Sequence, residues 1–305
     1  MSKPLVSIVI PSYNHGRYIQ QCIMSIIAQD YQNIELIIID DGSQDDSVEK
    51  VMALESECKA RFRRFVFHQR PNKGLCGTLN DAIDICQGEY YSAIASDDAL
   101  LAHKVSKQVE YLQTHPACAA VFGGMNVVDD DGTVIHIRSK KAGSYNFNDI
   151  FHVKHSFAAP TQMIRMDVIR EVGLYDEDIF IEDWYMWLKI SAAGYVLDEI
   201  GEILCLYRRH LSNMSNQIER MDSARKDIIE KYRDRDGYNK AVALSKLSSA
   251  IDMQLMNRGK SVIFAFQSLK LSPTIIFDKR FHRYILKFFV PMSYLHKRHG
   301  VKPGE

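Results

Sequence analysis

Short apolar runs alternate with segments of helical period over the first two thirds of the chain. Of all the sequence features, this alternation most constrains the fold. The runs at 5–10 and 34–39 are apolar almost throughout, and between them isoleucine and cysteine recur every three or four residues over 18–29. Strands that are apolar at every position are typical of a sheet covered on both faces. The pattern therefore predicts βαβ units and a mostly parallel, Rossmann-like sheet.

The same pattern continues and then stops. Further strands are predicted at 65–67, 90–95, 119–122 and 133–137, and helices at 75–86 and 101–114. From about Asn216 onward only helical patterns occur. We therefore predict an α/β domain over 1–215 and a helical C-terminal region over 216–305.

Composition excludes several classes of protein. The 305 residues carry 38 basic and 38 acidic side chains, so the formal net charge of zero gives no indication of nucleic-acid binding. The six cysteines include no C-x-x-C pair, which favours buried thiols over a metal-thiolate site. With no signal-like N-terminus and no run of about 18 apolar residues, we expect a cytoplasmic protein.

Polar motifs follow the first two predicted strands. Pro-Ser-Tyr-Asn stands at 11–14 and Asp-Asp-Gly-Ser at 40–43, at the sheet edge where open α/β folds bind ligands. The Tyr13 ring could stack on a nucleobase while the Asp41 carboxylate accepts the imide N–H of uracil or thymine. Alternatively both motifs are only turns, because their residues all favour turns.

Two adjacent acids, Asp97 and Asp98, follow the predicted strand at 90–95. Neighbouring carboxylates repel each other unless a cation lies between or beside them, and Mg²⁺ or Mn²⁺ prefers oxygen ligands and leaves positions open for a diphosphate. The alternative is that these acids cap the helix predicted to enter at Leu101.

Two further motifs carry charge. Glu182 and Asp183 begin a strongly helical pattern, where acids are also explained by the helix dipole. Tyr-Arg-Arg-His at 207–210 ends the last predicted strand, and its two guanidiniums and imidazole could bind a diphosphate and its metal. Alternatively, these residues form only a solvated basic strand end.

In this order and spacing, the motifs resemble those of the family 2 glycosyltransferases, which have the A-type glycosyltransferase fold. The resemblance covers about 6–215 and includes Asn-Lys-Gly at 72–74, although Ser96 stands where the family's Asp-x-Asp motif has its first acid. It implies Asp183 as catalytic base, with Glu182 as the alternative, and Asp98 and His210 at a Mn²⁺ or Mg²⁺ ion. It further implies a donor-binding set: Pro11, Tyr13, Asn14, Asp41, Lys73, Asp97, Arg208 and Arg209.

The implied reaction is metal-dependent, inverting transfer of a sugar from a nucleoside diphosphate to an acceptor hydroxyl. A UDP-sugar is the expected donor, with a dTDP-sugar such as dTDP-rhamnose as alternative. We expect acceptor selection in 142–162, and similar enzymes suggest a saccharide on undecaprenyl diphosphate in O-antigen or capsule synthesis. The protein would then lie peripherally on the inner face of the cell membrane.

Positive charge is concentrated at the C-terminus. The segment 279–305 holds seven Lys or Arg and one acid, and five aromatic or aliphatic residues from Phe281 to Phe289 fall on one helical stripe. This pattern predicts a helix lying on an anionic membrane. The alternative is a helix that docks on the protein core by its aromatic face.

Three rival functions are disfavoured. A nucleotidyltransferase would show a Gly-rich basic loop after the first strand, which 11–16 lacks. A non-catalytic nucleotide-sugar-binding protein would have lost the metal acid or the base, yet Asp98 and Asp183 are both present. A dinucleotide oxidoreductase would carry G-x-G-x-x-G after a strand, and no predicted strand is followed by one.

Overall fold

The computed structural model describes residues 3–139, 141–210 and 213–291, and the chain divides into two compact units. The first unit comprises 1–147, 156–178 and 182–208, and the second comprises 148–155, 179–181 and 209–305. In the described residues no helix is long and apolar enough to cross a membrane.

The first unit is an α/β sheet protein. Its strands are β1 (Val6–Ser12), β2 (Ile34–Asp40), β3 (Arg64–Gln69), β4 (Tyr90–Ala93), β5 (Ala99–Leu100), β6 (Cys118–Val128), β7 (Val134–Arg138), β8 (Gly143–Tyr145), β9 (Met163–Arg165) and β10 (Val196–Arg208). Its helices are α1 (Ile19–Ile27), α2 (Ser47–Met52), α3 (Glu55–Arg61), α4 (Gly74–Ile85), α5 (Lys104–Thr114), α7 (Met166–Val172) and α8 (Glu182–Ala192). Helix α6 (Phe147–Phe151) lies where the first unit passes into the second.

The strand order is β3-β2-β1-β4-β9-β6-β10-β5, with β7 beside β6 and β8 beside β10. Strands β3, β2, β1 and β4 are parallel, and β6 is parallel to β10. The short strand β9 runs antiparallel to both β4 and β6, which the sequence pattern did not predict. The predicted mostly parallel α/β sheet is confirmed, and its parallel core sets the carboxyl ends of β1, β2 and β4 at one edge.

Burial explains why these segments are strands. Every residue of β2 is buried, and β1 is buried at all positions but one, as expected for strands covered on both faces. A charge inside this layer needs partners: Glu35 accepts hydrogen bonds from Ser7 Oγ at 2.6 Å and pairs with Arg64 at 2.9 Å. The neighbouring helix α1 turns its isoleucines inward, in agreement with the predicted period.

The second unit is helical in its described residues after 208. It contains α9 (Ile218–Glu230), α10 (Tyr238–Met253), α11 (Arg258–Leu271) and α12 (Lys279–Lys287), with 3₁₀ turns at Met214–Asn216 and Pro273–Phe277. Its core is a cluster centred on Leu244, Leu247 and Tyr284. Residues 292–305 lie outside the described residues, and with them part of the predicted basic tail.

The predicted membrane stripe is wrong in part. Phe281 and Tyr284 are buried in the helical core, and Phe288 packs against it, so this face docks on the protein. Ile285 and Phe289 are exposed instead. The predicted stripe spans too wide an arc of the helix, so that its one edge, at Phe281 and Tyr284, is buried while its other edge, at Ile285 and Phe289, is exposed.

Candidate active site

The loops after β1 and β2 are joined by hydrogen bonds. Asn14 adopts a left-handed conformation with φ of 52°, and its N–H donates to Ser43 Oγ at 2.9 Å. Its side-chain oxygen accepts from the Gln44 N–H at 2.7 Å. Tyr13, which directly precedes Asn14 in the chain, is 48% exposed. The structure therefore brings the motifs at 11–14 and 40–43 together and leaves the Tyr13 ring accessible.

Asp41 holds the turn that precedes α4. Its carboxylate accepts the N–H groups of Lys73 and Gly74, each at 2.9 Å, and pairs with Arg70 at 2.9 Å. Gly74 has φ of +83°, a conformation that side-chain-bearing residues rarely adopt. The Lys73 side chain is exposed and its Nζ lies 3.1 Å from Asp81. Asp41 and Lys73 are thus neighbours at one edge of the sheet.

The acidic pair follows β4 and is buried. Asp98 is 3% exposed, and its Oδ1 accepts the backbone N–H of Arg208 at 2.8 Å. Burial and the neighbouring Asp97 raise the pKa of Asp98 well above its usual range. The helix that follows begins at Lys104 with His103 as its cap, so the alternative of a capping role for the two acids is wrong.

This acidic pair fits a divalent cation. Ionised Asp98 beside Asp97 is disfavoured by burial and by like charge, and a bound Mg²⁺ or Mn²⁺ would offset both effects. The donor atoms are oxygens, which these ions prefer. The fit rests on the buried position of the pair rather than on the sequence motif alone.

Arg208 connects several loops of the first unit through hydrogen bonds. Its guanidinium donates to the carbonyl oxygens of Asp97, Asp129 and Asp130 at 3.1, 2.9 and 2.9 Å. It also donates to Gln21 Oε1 at 2.6 Å. These bonds join the acidic pair to the end of β6, so Arg208 positions the loop that carries Asp97.

Arg209 and His210 belong to the second unit. Arg209 is exposed, and the His210 N–H donates to Asn213 Oδ1 at 2.6 Å. Their predicted roles at the diphosphate and the metal stay predictions.

His15 is a site residue that the sequence analysis missed. Its Nδ1 lies 2.7 Å from Ser96 Oγ and 3.9 Å from Asp97 Oδ1. It therefore links the loop after β1 to the acidic pair after β4. Its position directly after the motif at 11–14 was the only signal that could have found it.

Glu182 and Asp183 begin α8, as predicted, and both are half-buried. Asp183 Oδ1 accepts the N–H of Trp184 at 2.6 Å, which fixes that carboxylate at the helix start. Burial raises the pKa of both carboxyls, and Asp183 raises that of Glu182 further. Both groups therefore hold protons more strongly than exposed acids, which suits a proton acceptor at neutral pH.

Glu182 lines a pocket of the first unit that has about 390 Å³ of space, including space open to solvent. The walls come from the carboxyl ends of β1 and β4, from α4 and from the turn before β9: Pro11, Leu75, Leu79, Ala93, Ile94, Ala95, Ala159, Pro160, Gln162 and Tyr175. Ala95 directly precedes Ser96 and the acidic pair. The pocket thus joins the predicted base region to the edge that carries the acids.

Known proteins share this sequence and fold. The chain is 26% identical to an uncharacterized glycosyltransferase of Methanocaldococcus jannaschii over 72% of this chain and 76% of the relative. It is 28% identical to glycosyltransferase GlyG of Streptococcus pneumoniae over 74% and 77% of the two chains. Against an uncharacterized glycosyltransferase of Rickettsia bellii the identity is 31%, over 70% of this chain but only 31% of that protein.

Solved structures agree on the fold. The structure of S. aureus TarS 1-349 in complex with UDP-GlcNAc superposes with a TM-score of 0.65 at 15% identity, covering 87% of this chain and 79% of that one. The mannosyltransferase PcManGT from Pyrobaculum calidifontis, in complex with GDP-Man and Mn²⁺, gives 0.64 at 15% identity over 99% and 85%. The A-type glycosyltransferase fold is therefore confirmed.

The family assignment rests on the sequence itself. The profile described as Glycosyl transferase family 2 matches residues 7–173, more than half of the chain. This match spans the edge that carries Tyr13, Asp41 and the acidic pair. The chain therefore belongs to glycosyl transferase family 2 and is a glycosyltransferase.

Proposed function

We propose that this enzyme transfers a sugar from a nucleoside diphosphate to an acceptor hydroxyl, with inversion and with the help of a divalent metal. One observation carries the proposal: a buried acidic pair, Asp97 and Asp98, follows β4, and the nearby Ala95 lines the same pocket as Glu182, the chain neighbour of Asp183. A carboxylate pair for a metal diphosphate and a carboxylate for the acceptor are the two groups that a single displacement needs.

The donor's nucleoside would bind over the loops after β1 and β2. Tyr13 would stack on the base and Asp41 would accept its imide N–H, with Pro11, Asn14 and Lys73 shaping that edge. Asp97 would hold the ribose. The exposed Tyr13 ring and the buried, well-anchored Asp41 support these roles.

Asp98 and His210 would hold Mn²⁺ or Mg²⁺, and Arg209 would face the diphosphate, whereas Arg208, which is 3% exposed, would support the acidic pair instead of contacting the diphosphate. Bound there, the metal supplies Lewis-acid stabilisation of the charge that develops on the leaving diphosphate. Because the Arg208 guanidinium already donates to Asp97, Asp129 and Asp130, its part would be to position the acidic loop.

Asp183 would act as the base, and Glu182 is the alternative. The base takes the proton of the acceptor hydroxyl, whose oxygen then attacks the anomeric carbon from the face opposite the diphosphate. One displacement of this kind inverts the configuration. The raised pKa values of both carboxyls support a proton-accepting role near neutral pH.

A UDP-sugar is the proposed donor, and a dTDP-sugar such as a rhamnosyl donor is the alternative, because uracil and thymine offer Asp41 the same imide edge. We further propose a saccharide acceptor, selected by 142–162 and carried on undecaprenyl diphosphate, in O-antigen or capsule synthesis. The enzyme would then work peripherally on the inner face of the cell membrane.

A screen of nucleotide-sugars tests the proposal before any acceptor is known. The full chain is incubated with UDP-, dTDP- and GDP-sugars, with and without Mn²⁺, and both binding and slow donor hydrolysis are measured. We expect one donor class to bind and to be hydrolysed only when metal is present. Tight binding without any hydrolysis or transfer would favour the non-catalytic nucleotide-sugar-binding alternative. The absence of metal dependence would reject the role of Asp98.

A further inference from the structure

Helices α11 and α12 of the second unit expose large apolar side chains on their outer faces. In α11 the residues Ser261, Ala265 and Ser268 face the core, whereas Val262, Ile263 and Phe266 are exposed. The Phe266 side chain is 67% exposed. The positions of these three apolar residues at i, i+1 and i+4 place them on one side of the helix.

Helix α12 repeats this arrangement. Phe281 and Tyr284 face the core, while Leu286 is exposed, as is Phe289 just after the helix, at 82%. The 3₁₀ turn between the two helices adds Phe277, which is exposed at 81%. Single exposed apolar residues are ordinary, but this many large ones on two helices and the turn joining them are not.

The two helices meet at one end. Ser261 Oγ and Tyr284 Oη are 2.9 Å apart, and Arg258 donates to the carbonyl oxygen of Val290 at 3.1 Å. These two contacts bring the start of α11 close to the end of α12, so the two segments that carry the exposed apolar residues meet there. We call the exposed residues Val262, Ile263, Phe266, Phe277, Leu286 and Phe289 the apolar face.

The segment that carries the apolar face has an excess of positive charge. From 258 to 291 the chain carries seven Lys or Arg and a single acid, Asp278, which pairs with Arg280 at 2.9 Å. Lys270, Lys279 and Arg283 are exposed, and within the described part of the chain no carboxylate lies within salt-bridge distance of them. A second copy of this positive face would repel the first, so self-association through it is disfavoured.

We propose that the apolar face docks on an anionic phospholipid surface, with its Phe and Leu side chains entering the interface and its basic side chains contacting lipid phosphates. Large apolar side chains surrounded by Lys and Arg are the combination that such surfaces bind. The inference rests on the peripheral membrane location in the proposed function and names the surface that makes the contact, and it needs neither donor nor metal. It places lipid contact on α11 and Phe277, which the sequence analysis did not single out.

Flotation with vesicles tests the docking surface on the full chain. Wild-type protein is mixed with phosphatidylcholine vesicles, with or without 30% phosphatidylglycerol, at low and at about 0.5 M salt, where the Debye length falls below ~5 Å. We expect binding to the anionic vesicles only, and release of most of the protein at high salt.

Two double variants locate the surface. Phe266→Ser with Phe289→Ser removes apolar contacts, and Lys270→Glu with Arg283→Glu reverses charge. Each pair should lower the affinity for anionic vesicles at least about tenfold, since both apolar burial and basic charge contribute to such binding. Ile137→Ser and Lys107→Glu, at exposed positions of the first unit, are the matched controls and should bind as wild type does.

Several results would overturn the proposal. These are equal binding to neutral vesicles, no binding at low salt, or wild-type affinity in both double variants. A concentration-dependent dimer in light scattering that Phe266→Ser with Phe289→Ser dissociates would assign the face to a second copy. Circular dichroism checks that each variant is folded. Because Lys270 and Arg283 are both exposed, the charge pair keeps the test valid if the Phe pair fails to fold. Donor hydrolysis is independent of all these outcomes, so failure here leaves the proposed reaction standing.

Discussion

At Asp98 the ionised carboxylate that a metal would need is the form that the protein's interior disfavours. Burial and Asp97 disfavour its ionised form, while the Arg208 N–H holds its carboxylate in place. A residue kept in such a position at a cost in folding free energy is typical of a functional site.

Asp98→Asn is therefore expected to abolish transfer and to stabilise the metal-free fold. The amide keeps the acceptor oxygen for the Arg208 N–H but removes one of two adjacent buried charges, so we expect a gain of about 1–2 kcal/mol in EDTA. Loss of the metal's charge stabilisation should lower the transfer rate at least about 100-fold. Thermal melts and donor hydrolysis measure the two effects. Full activity in the variant, or in excess EDTA, contradicts the metal role.

Asp183→Asn and Glu182→Gln form a matched pair of variants. Removal of a general base lowers the rate by about 10²–10⁴-fold while donor binding remains. We expect this loss in Asp183→Asn and a smaller one in Glu182→Gln, because the Trp184 N–H holds the Asp183 carboxylate in one position, which a proton acceptor needs. Rates are compared at saturating donor, with donor affinity as the control. The reverse order would move the base to Glu182.

The pH profile is an independent measurement on the same pair. A base works only when ionised, and burial raises the pKa of both carboxyls. The rate should therefore fall on acidification at a pH clearly above about 4, the range of an ordinary carboxyl group. A profile that stays flat from pH 8 down to about 5 would mean that neither acid is the base.

At the scale of elements, a short turn lines the pocket and is held by buried donors. Residues Ala159–Thr161 form a 3₁₀ turn that ends at Gln162. The carbonyl oxygen of Gln162 accepts from Ser92 Oγ at 2.8 Å and from Lys104 Nζ at 3.2 Å. Gln108 donates to the carbonyl oxygen of Thr161 at 2.7 Å. Three buried polar side chains are thus used to place one turn at the edge of the site.

Lys104→Met tests the energetics of this anchor. Burial lowers the pKa of Lys104 to about 7. Between that value and about 10.4 the unfolded chain keeps a proton that the folded chain has released, so stability rises with pH. From pH 7.5 to 9.5 we expect wild type to gain about 2 kcal/mol relative to Lys104→Met, as measured by urea unfolding. Parallel curves for the two proteins would show that the amine stays charged in the fold.

Gln162 offers the pocket a hydrogen-bond donor. Its Oε1 accepts from Trp187 Nε1 at 3.2 Å, and the residue lines the pocket, where its amide nitrogen could donate to a bound sugar. We expect Gln162→Met to lower kcat/KM about tenfold, because a bound sugar would lose one hydrogen bond in a buried site. A matched Gln108→Met change should reduce stability more than it reduces donor affinity. Unchanged kinetics in Gln162→Met would show that substrate does not reach this amide.

Elements with strong periodicity were predictable from sequence, and those made by tertiary contact were not. The apolar runs of β1 and β2 predicted buried strands correctly, because the side chains on both faces of these strands pack against other layers. Strand β9 has three residues and pairs with β4 and β6, so nothing local distinguishes it from a loop. The placement of His15 beside Ser96 likewise depends on two strands that lie next to each other only in the folded sheet.

At the scale of the whole molecule, the predicted boundary near Ser215 does not follow the compact units. The second unit takes in 148–155 and 179–181 as well as the residues after 208. Phe151 is fully buried and its ring lies 5.9 Å from that of Tyr232. A boundary predicted from a change in sequence pattern divides the chain at a single position. Such a pattern cannot indicate that three separate segments assemble into one unit.

The fragment 1–215 should consequently fold poorly by itself. It would keep Phe151 but lose Tyr232, and it would keep the carbonyl groups of His152 and Val153 but lose the Arg280 guanidinium that donates to both, at 3.2 and 2.8 Å. Exposure of the Phe151 side chain alone costs about 1.5–3 kcal/mol, a large share of the stability of a typical domain.

We expect 1–215 to aggregate or to melt well below the full chain, whereas the fragment 1–291, which keeps every one of these contacts, should melt close to it. Phe151→Ser in the full chain reproduces part of the loss without a truncation and separates this contact from the removal of the helices. A cooperative melt of 1–215 at the temperature of the full chain would mean that the segment 148–155 needs nothing beyond residue 215, and the boundary predicted from sequence would then be the folding boundary.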